Sequence, residues 1–111
     1  MRMKEILSMA DYESLPLTTK YKIKQPNIDD SGRADGMETG LDLVLCPGVA
    51  FSTDGKRLGH GAGYYDRFLG QYESTRSRPF LIGLALGPQL IPSEQLPTDE
   101  HDYVLDEIIA P

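Results

Sequence analysis

The residues best suited to chemistry lie in one short run, Arg57-Leu58-Gly59-His60-Gly61-Ala62-Gly63-Tyr64-Tyr65-Asp66. Gly59, Gly61 and Gly63 alternate with other residues and remove side chains that would hold a ligand away from the main chain, so successive amide N–H groups can face an anion. The run leads into Tyr64, Tyr65, Phe68, Leu69 and Tyr72 at helical spacing, which predicts a helix over about 63–71. A helix N-terminus adds unsatisfied donors and partial positive charge, so phosphate is the expected ligand class. Arg57 supplies a planar cationic fork that suits phosphate oxygens, and His60 donates when protonated. Asp66, one turn into the helix, has the oxygen chemistry of a Mg2+ ligand; the helix dipole equally favours an acid there with no metal involved. The loop is not a Walker loop, because no Gly-Lys-Ser or Gly-Lys-Thr follows. It is not the dinucleotide fingerprint either, because Tyr64 stands in place of its third glycine. Without its flanks, the same pattern also reads as a flexible turn.

The elements that must position this loop are legible on both sides. Leu41-Asp42-Leu43-Val44-Leu45-Cys46 reads as a strand buried on both faces, stopped by Pro47-Gly48. Val49-Ala50-Phe51 follows as a packed segment, and Thr53-Asp54-Gly55-Lys56 as a turn. Beyond the helix, Phe80 to Leu86 reads as a second central strand ended by Gly87-Pro88, and Gln89 to Ile91 as a short helical turn before Pro92. Tyr103 to Ile109 is apolar enough for a last strand or edge segment. Strand, loop, helix, strand is the pattern of a crossover unit, so the expected class is α/β with mostly parallel strands and flanking helices. Upstream, Met1, Met3 and Ile6 alternate like a half-buried strand, Ala10 to Leu15 reads as a brief helix stopped by Pro16, and residues 26–40 as an exposed loop. Residues 1–111 are read as one domain.

Composition narrows the function classes. A chain of 111 residues with a formal net charge of −6 is a poor partner for a phosphate polyanion, so nucleic acid is not the expected ligand. Lys56, Arg57, His60 and Arg67 still form a local basic cluster that suits a small phosphorylated molecule. The longest apolar runs fall far short of the roughly 18 residues needed to span a bilayer, and no signal-peptide pattern opens the chain. A cytoplasmic protein is the expectation. Cys46 is the single cysteine, which rules out an internal disulfide or a multi-thiolate zinc site; between Leu45 and Pro47 it reads as a small core residue rather than a nucleophile.

Pro47-Gly48-Val49-Ala50-Phe51 followed by the run from Gly55 through Leu69 resembles the signature of the 5-formyltetrahydrofolate cyclo-ligases, also called methenyltetrahydrofolate synthetases. The likeness extends to Ile23-Lys24-Gln25-Pro26 and to His101 through Asp106, so nearly the whole chain resembles the C-terminal half of that enzyme. The resemblance implies ATP- and Mg2+-dependent conversion of 5-formyltetrahydrofolate to 5,10-methenyltetrahydrofolate, with ADP and phosphate released. Carried over, Arg57, Leu58, Gly59, His60, Gly61, Ala62, Gly63, Tyr64 and Tyr65 line the ATP phosphates. His60 to Tyr64 border the reduced folate, Arg57 and Tyr64 act as the catalytic pair, and Asp66 and Asp102 hold the metal. On its own pattern Asp102 reads as a loop acid. His60 stands where the family often has Arg, Ser52 where an Asp commonly follows the Phe, and Ala62 where Lys or Gly is usual. The resemblance also implies an N-terminal half with further strand and helix units, so a truncated three-layer sheet with an exposed apolar edge, open to association, is expected. The alternatives are a catalytically incomplete nucleotide-binding or regulatory fragment of that family, or an unrelated α/β enzyme acting on a sugar phosphate.

Overall fold

A computed structural model describes residues 1–18, 22–27, 29–59, 61, 63–97 and 102–111. The chain divides into two compact units, Arg2–Gly40 and Leu41–Pro111, the second also taking in Met1.

In the first unit the helix expected near Ala10 forms as α1 (Met9–Glu13). Ser8 caps it by accepting the Asp11 N–H at 3.1 Å. Arg33 grips Asp11 with both Nη atoms at 2.7 Å and Asp30 through Nε at 2.9 Å, so one guanidinium closes the unit's turns onto the helix. The strand expected from the Met1, Met3, Ile6 alternation is reduced to a single antiparallel bridge between Lys4 and Asp35, with Ile6 exposed. Residues 26–40 are also not all loop. Asp35 accepts the Met37 N–H at 3.0 Å and starts a short α2 (Gly36–Thr39), and both Asp35 and Gly36 are buried. The cap residue that sequence reasoning assigned to a turn therefore opens a helix turn instead.

The second unit is built on β1 (Leu43–Cys46), β4 (Phe80–Leu84) and β5 (Glu107–Ile109), with β4 in the centre and both pairings parallel. Between β1 and β4 lie an antiparallel hairpin, β2 (Ala50–Phe51) with β3 (Arg57–Leu58), and the helix α3 (Tyr64–Glu73). The expected α/β crossover unit is thus present. Tyr72 ties α3 to the start of β1, its hydroxyl accepting the Leu41 N–H at 2.6 Å and donating to the Leu41 carbonyl at 3.1 Å. The helical turn expected over Gln89 to Ile91 lies two residues upstream, as a 3-10 turn at Gly87–Gln89, and a second follows at Ser93–Gln95.

One expectation fails on a physical point. The apolar runs suggested strands buried on both faces, but only alternate residues are buried: Val44 and Cys46 in β1 and Leu81 in β4. Leu43, Leu45, Phe80, Leu84 and Ile109 on the other face are 48–51% exposed. A continuous apolar run signals that both faces can be covered; it does not supply the cover.

Candidate phosphate site beyond the sheet

The hairpin delivers the arginine. Phe51 is fully buried, and its ring fits over β4 because Gly83 has no side chain; a Cβ there would come within 2.7 Å of Phe51 Cε1. The turn that follows is locked by Ser52, which is buried, accepts the Lys56 N–H at 3.1 Å and donates to Asp54. Ser93 donates to the other oxygen of Asp54 at 2.8 Å. Hydrogen bonds from Ser52 and then Ser93 hold the Asp54 carboxyl below its ordinary range. Gly55 sits at φ 98°, and a Cβ on it would meet the Leu105 carbonyl oxygen at 2.3 Å, so the turn also rests on the strand-entry segment.

Arg57 leaves this hairpin with a fixed direction. Its Nε donates to the Pro47 carbonyl just beyond the end of β1, and its guanidinium carbon lies 5.0 Å from the centroid of the Tyr65 ring. The guanidinium also lies close to Gly59, where a Cβ would stand 3.1 Å from Nη2. Arg57 therefore lies outside the carboxyl end of a parallel strand, where open α/β sheets carry their ligands. Burial pushes the Tyr65 phenol up, Cys46 adds to the rise, and Arg57 opposes it. Burial also pushes the Cys46 thiol up, against the nearby Arg57 charge, and Cys46 is 1% exposed, in keeping with a core residue.

Gly61 and Gly63 take positive φ of 95° and 68°, and a Cβ built on either meets nothing within 4 Å among the described residues. Backbone angle, not crowding, calls for glycine there. Gly63 is the N-cap of α3 and offers no side chain to the first-turn amides, which leaves those donors for a ligand. His60 and Ala62, both named from the sequence as loop and folate-facing residues, lie outside the described residues.

Tyr64 and Tyr65 diverge. Tyr64 is 58% exposed, with the Arg67 guanidinium carbon 5.3 Å from its ring centroid, whereas Tyr65 turns inward onto Arg57. Asp66 Oδ1 accepts the Tyr103 N–H at 3.4 Å. That amide directly follows Asp102, so the fold brings the two sequence-distant acids, Asp66 and Asp102, to the same end of α3. Among the described residues no group of three or more His, Cys, Asp or Glu side chains forms a metal cage. Sequence reasoning missed three supports of this site. The Ser52, Asp54 and Ser93 cluster and the Tyr103 anchor have no pattern of their own in the sequence. Gln89, the third, accepts the Leu86 N–H at 2.8 Å and donates to the Gly48 carbonyl at 3.0 Å, linking the segment after β4 to the Pro47-Gly48 turn.

Residues 1–111 match the model of the 5-formyltetrahydrofolate cyclo-ligase family. The chain is 39% identical over 111 residues to the 5-formyltetrahydrofolate cyclo-ligase of Mus musculus, covering 98% of this chain and 53% of that protein. It is 37% identical over 105 residues to a probable 5-formyltetrahydrofolate cyclo-ligase of Schizosaccharomyces pombe, covering 89% and 50%. Among solved structures, a 5,10-methenyltetrahydrofolate synthetase from Mycoplasma pneumoniae superposes with a TM-score of 0.55 at 39% identity, over 72% of this chain and 45% of that one. The chain thus spans about half the length of the curated relatives it matches. An Arg57 stacked beside a glycine loop at the open end of a parallel sheet, in a chain matched along its whole length, leads to one conclusion: this chain belongs to the 5-formyltetrahydrofolate cyclo-ligase family.

Proposed function

We propose that this chain carries the phosphate-binding part of a site that uses ATP and Mg2+ to convert 5-formyltetrahydrofolate to 5,10-methenyltetrahydrofolate, releasing ADP and phosphate. The observation that supports it most is the placement of Arg57: held by Pro47 and Tyr65, it lies beside Gly59, followed by Gly61 and Gly63, around which no described residue crowds, and by a helix start with no side-chain cap. In this reading Arg57, Leu58, Gly59, Gly61, Gly63, Tyr64 and Tyr65, with His60 and Ala62, surround the nucleotide phosphates. The exposed Tyr64 ring and the 60–64 main chain border the folate, and Arg57 and Tyr64 serve as the catalytic pair. The formyl oxygen attacks the γ-phosphorus as ADP departs. N10 then closes on the activated carbon and gives up its proton to solvent, and the C–O bond breaks to release phosphate. The side chains contribute positioning and charge neutralisation, the main demands of phosphoryl transfer.

The donor set near α3 suits Mg2+. This ion keeps several waters and takes one or two carboxylates together with substrate phosphates, and Asp66 and Asp102 are oxygen donors from separate segments, the second directly preceding the Tyr103 amide that donates to Asp66 Oδ1. When bound, it would neutralise phosphate charge there. A cytoplasmic setting belongs to the same reading; among the described residues no helix is long and apolar enough to cross a membrane. So does association through the sheet, where β1 and β5 each have one neighbour among the described residues.

The span of about half a relative favours a second reading, a nucleotide-holding fragment that does not turn over alone. Purified chain incubated with ATP, Mg2+ and 5-formyltetrahydrofolate separates the readings by methenyl absorbance: product from this chain alone removes the second. Under either, Mg2+-dependent nucleotide binding is expected to weaken in Arg57→Ala and in Asp66→Ala. Unchanged affinity in both variants would overturn the proposed site.

A further inference from the structure

One face of α3 beyond the glycine loop is organised around a residue that the loop pattern does not include. Asp66, Gly70 and Glu73 fall at i, i+4 and i+7, so they share a helix face, with Asp66 and Glu73 about 10 Å apart along the axis. Tyr103 lies along this strip. Its N–H donates to Asp66 Oδ1 at 3.4 Å, and its hydroxyl donates to Glu73 Oε2 at 3.1 Å. Gly70 keeps the strip flat between them, a Cβ there standing 4.0 Å from the Tyr103 hydroxyl. The Arg78 guanidinium carbon lies 6.0 Å from the centroid of the ring; Arg78 also donates to the Val104 carbonyl and reaches Asp106 Oδ1 at 3.3 Å. Further along, Leu105 N–H donates to the Gly55 carbonyl at 2.8 Å, so the segment is tied at several points.

We propose that Tyr103 is a positioning residue: by bridging Asp66 and Glu73 along α3, it holds the Asp102 main chain beside Asp66 and so sets the spacing of the two carboxylates. This inference rests on the reading of Asp66 and Asp102 as the cation-holding pair. Groups that fix the ligands of a metal commonly alter its affinity by roughly tenfold or more when removed. Tyr103→Phe deletes one hydroxyl and keeps both the ring and the N–H to Asp66, which makes it a narrow probe.

The test is a Mn2+ titration of the 15N-labelled 111-residue chain, read as paramagnetic broadening of backbone amides. In the unaltered chain the amides of residues 66–67 and 102–104 should broaden together. In Tyr103→Phe and in Glu73→Ala, the Mn2+ concentration that half-broadens the Val104 amide should rise about tenfold. The double variant should be no worse than either single one, and Glu73→Gln, which retains an acceptor, should recover most of the effect. Thermal midpoints measured alongside identify any loss of folding, which would affect every amide rather than these two groups. If Tyr103→Phe and Glu73→Ala titrate like the unaltered chain while Asp66→Asn and Asp102→Asn lose the broadening, the role of Tyr103 is overturned and the cation pair stands. If the two amide groups do not broaden together, or Asp66→Asn and Asp102→Asn change nothing, the cation reading fails and the role of Tyr103 fails with it.

Discussion

Arg57 is constrained at three points: Pro47 fixes Nε, the Tyr65 ring lies against the guanidinium, and Gly59 leaves it room. A lysine keeps the charge but loses the fork and the stacking, so Arg57→Lys is expected to weaken ATP binding by about tenfold, measured by calorimetry. Gly59→Ala displaces the same guanidinium without altering any charge and should weaken binding in the same direction. Cys46 gives the opposite kind of expectation. Its thiol is buried and pushed up by that burial, so it should react with a thiol reagent such as DTNB only on unfolding. The sequence marked Arg57 and the acid Asp66 by type and spacing. It could not show that Tyr64 and Tyr65 point different ways, because that depends on which face of α3 each residue occupies and on where Arg57 arrives from another element.

At the scale of elements, the β2–β3 hairpin is seated by two glycines that the sequence presents as ordinary. Gly83→Ala would drive a methyl against Phe51, Ile108 and Leu105 and should cost about 1–3 kcal/mol in denaturant unfolding. Gly55→Ala meets both a positive φ and the Leu105 carbonyl, so a loss of comparable size, roughly 1–3 kcal/mol, is expected. In the first unit, the hydrogen bonds from Arg33 lower the Asp11 carboxyl to about 2. A depressed carboxylate contributes its stability above the unfolded value of 3.8 and loses it as pH falls through about 2. Arg33→Ala should therefore return the Asp11 titration, followed by carboxyl NMR, toward 3.8. The strands and α3 were legible because apolar runs and helical spacing are local signals. The exposed loop read over residues 26–40 missed α2 because Asp35 serves equally well as a turn residue and as a helix cap.

The second unit as a whole has a one-sided sheet. Leu81, fully buried, and Leu45, half exposed, lie on neighbouring strands yet face opposite ways. Leu81→Ala is expected to cost about 2–5 kcal/mol, whereas Leu45→Lys should change the unfolding free energy by under about 0.5 kcal/mol and reduce binding of a hydrophobic dye such as ANS. Equal costs for the two substitutions would mean that the outer face is covered in solution. An apolar face of this kind is where association is to be sought, by light scattering of the unaltered chain against Leu45→Lys.

By itself the sequence determined the α/β class, the crossover from β1 through α3 to β4, and the glycines that lead into α3, since each is written in residue types a few positions apart. Tertiary structure decided which strand face is buried, that Tyr65 supports Arg57, and that the segment holding Asp102 returns to α3 beside Asp66. Those outcomes depend on contacts between residues far apart in the chain, such as Phe51 over Gly83 and Tyr103 along Asp66 and Glu73. No local periodicity encodes such contacts; packing and hydrogen-bond satisfaction across elements select them.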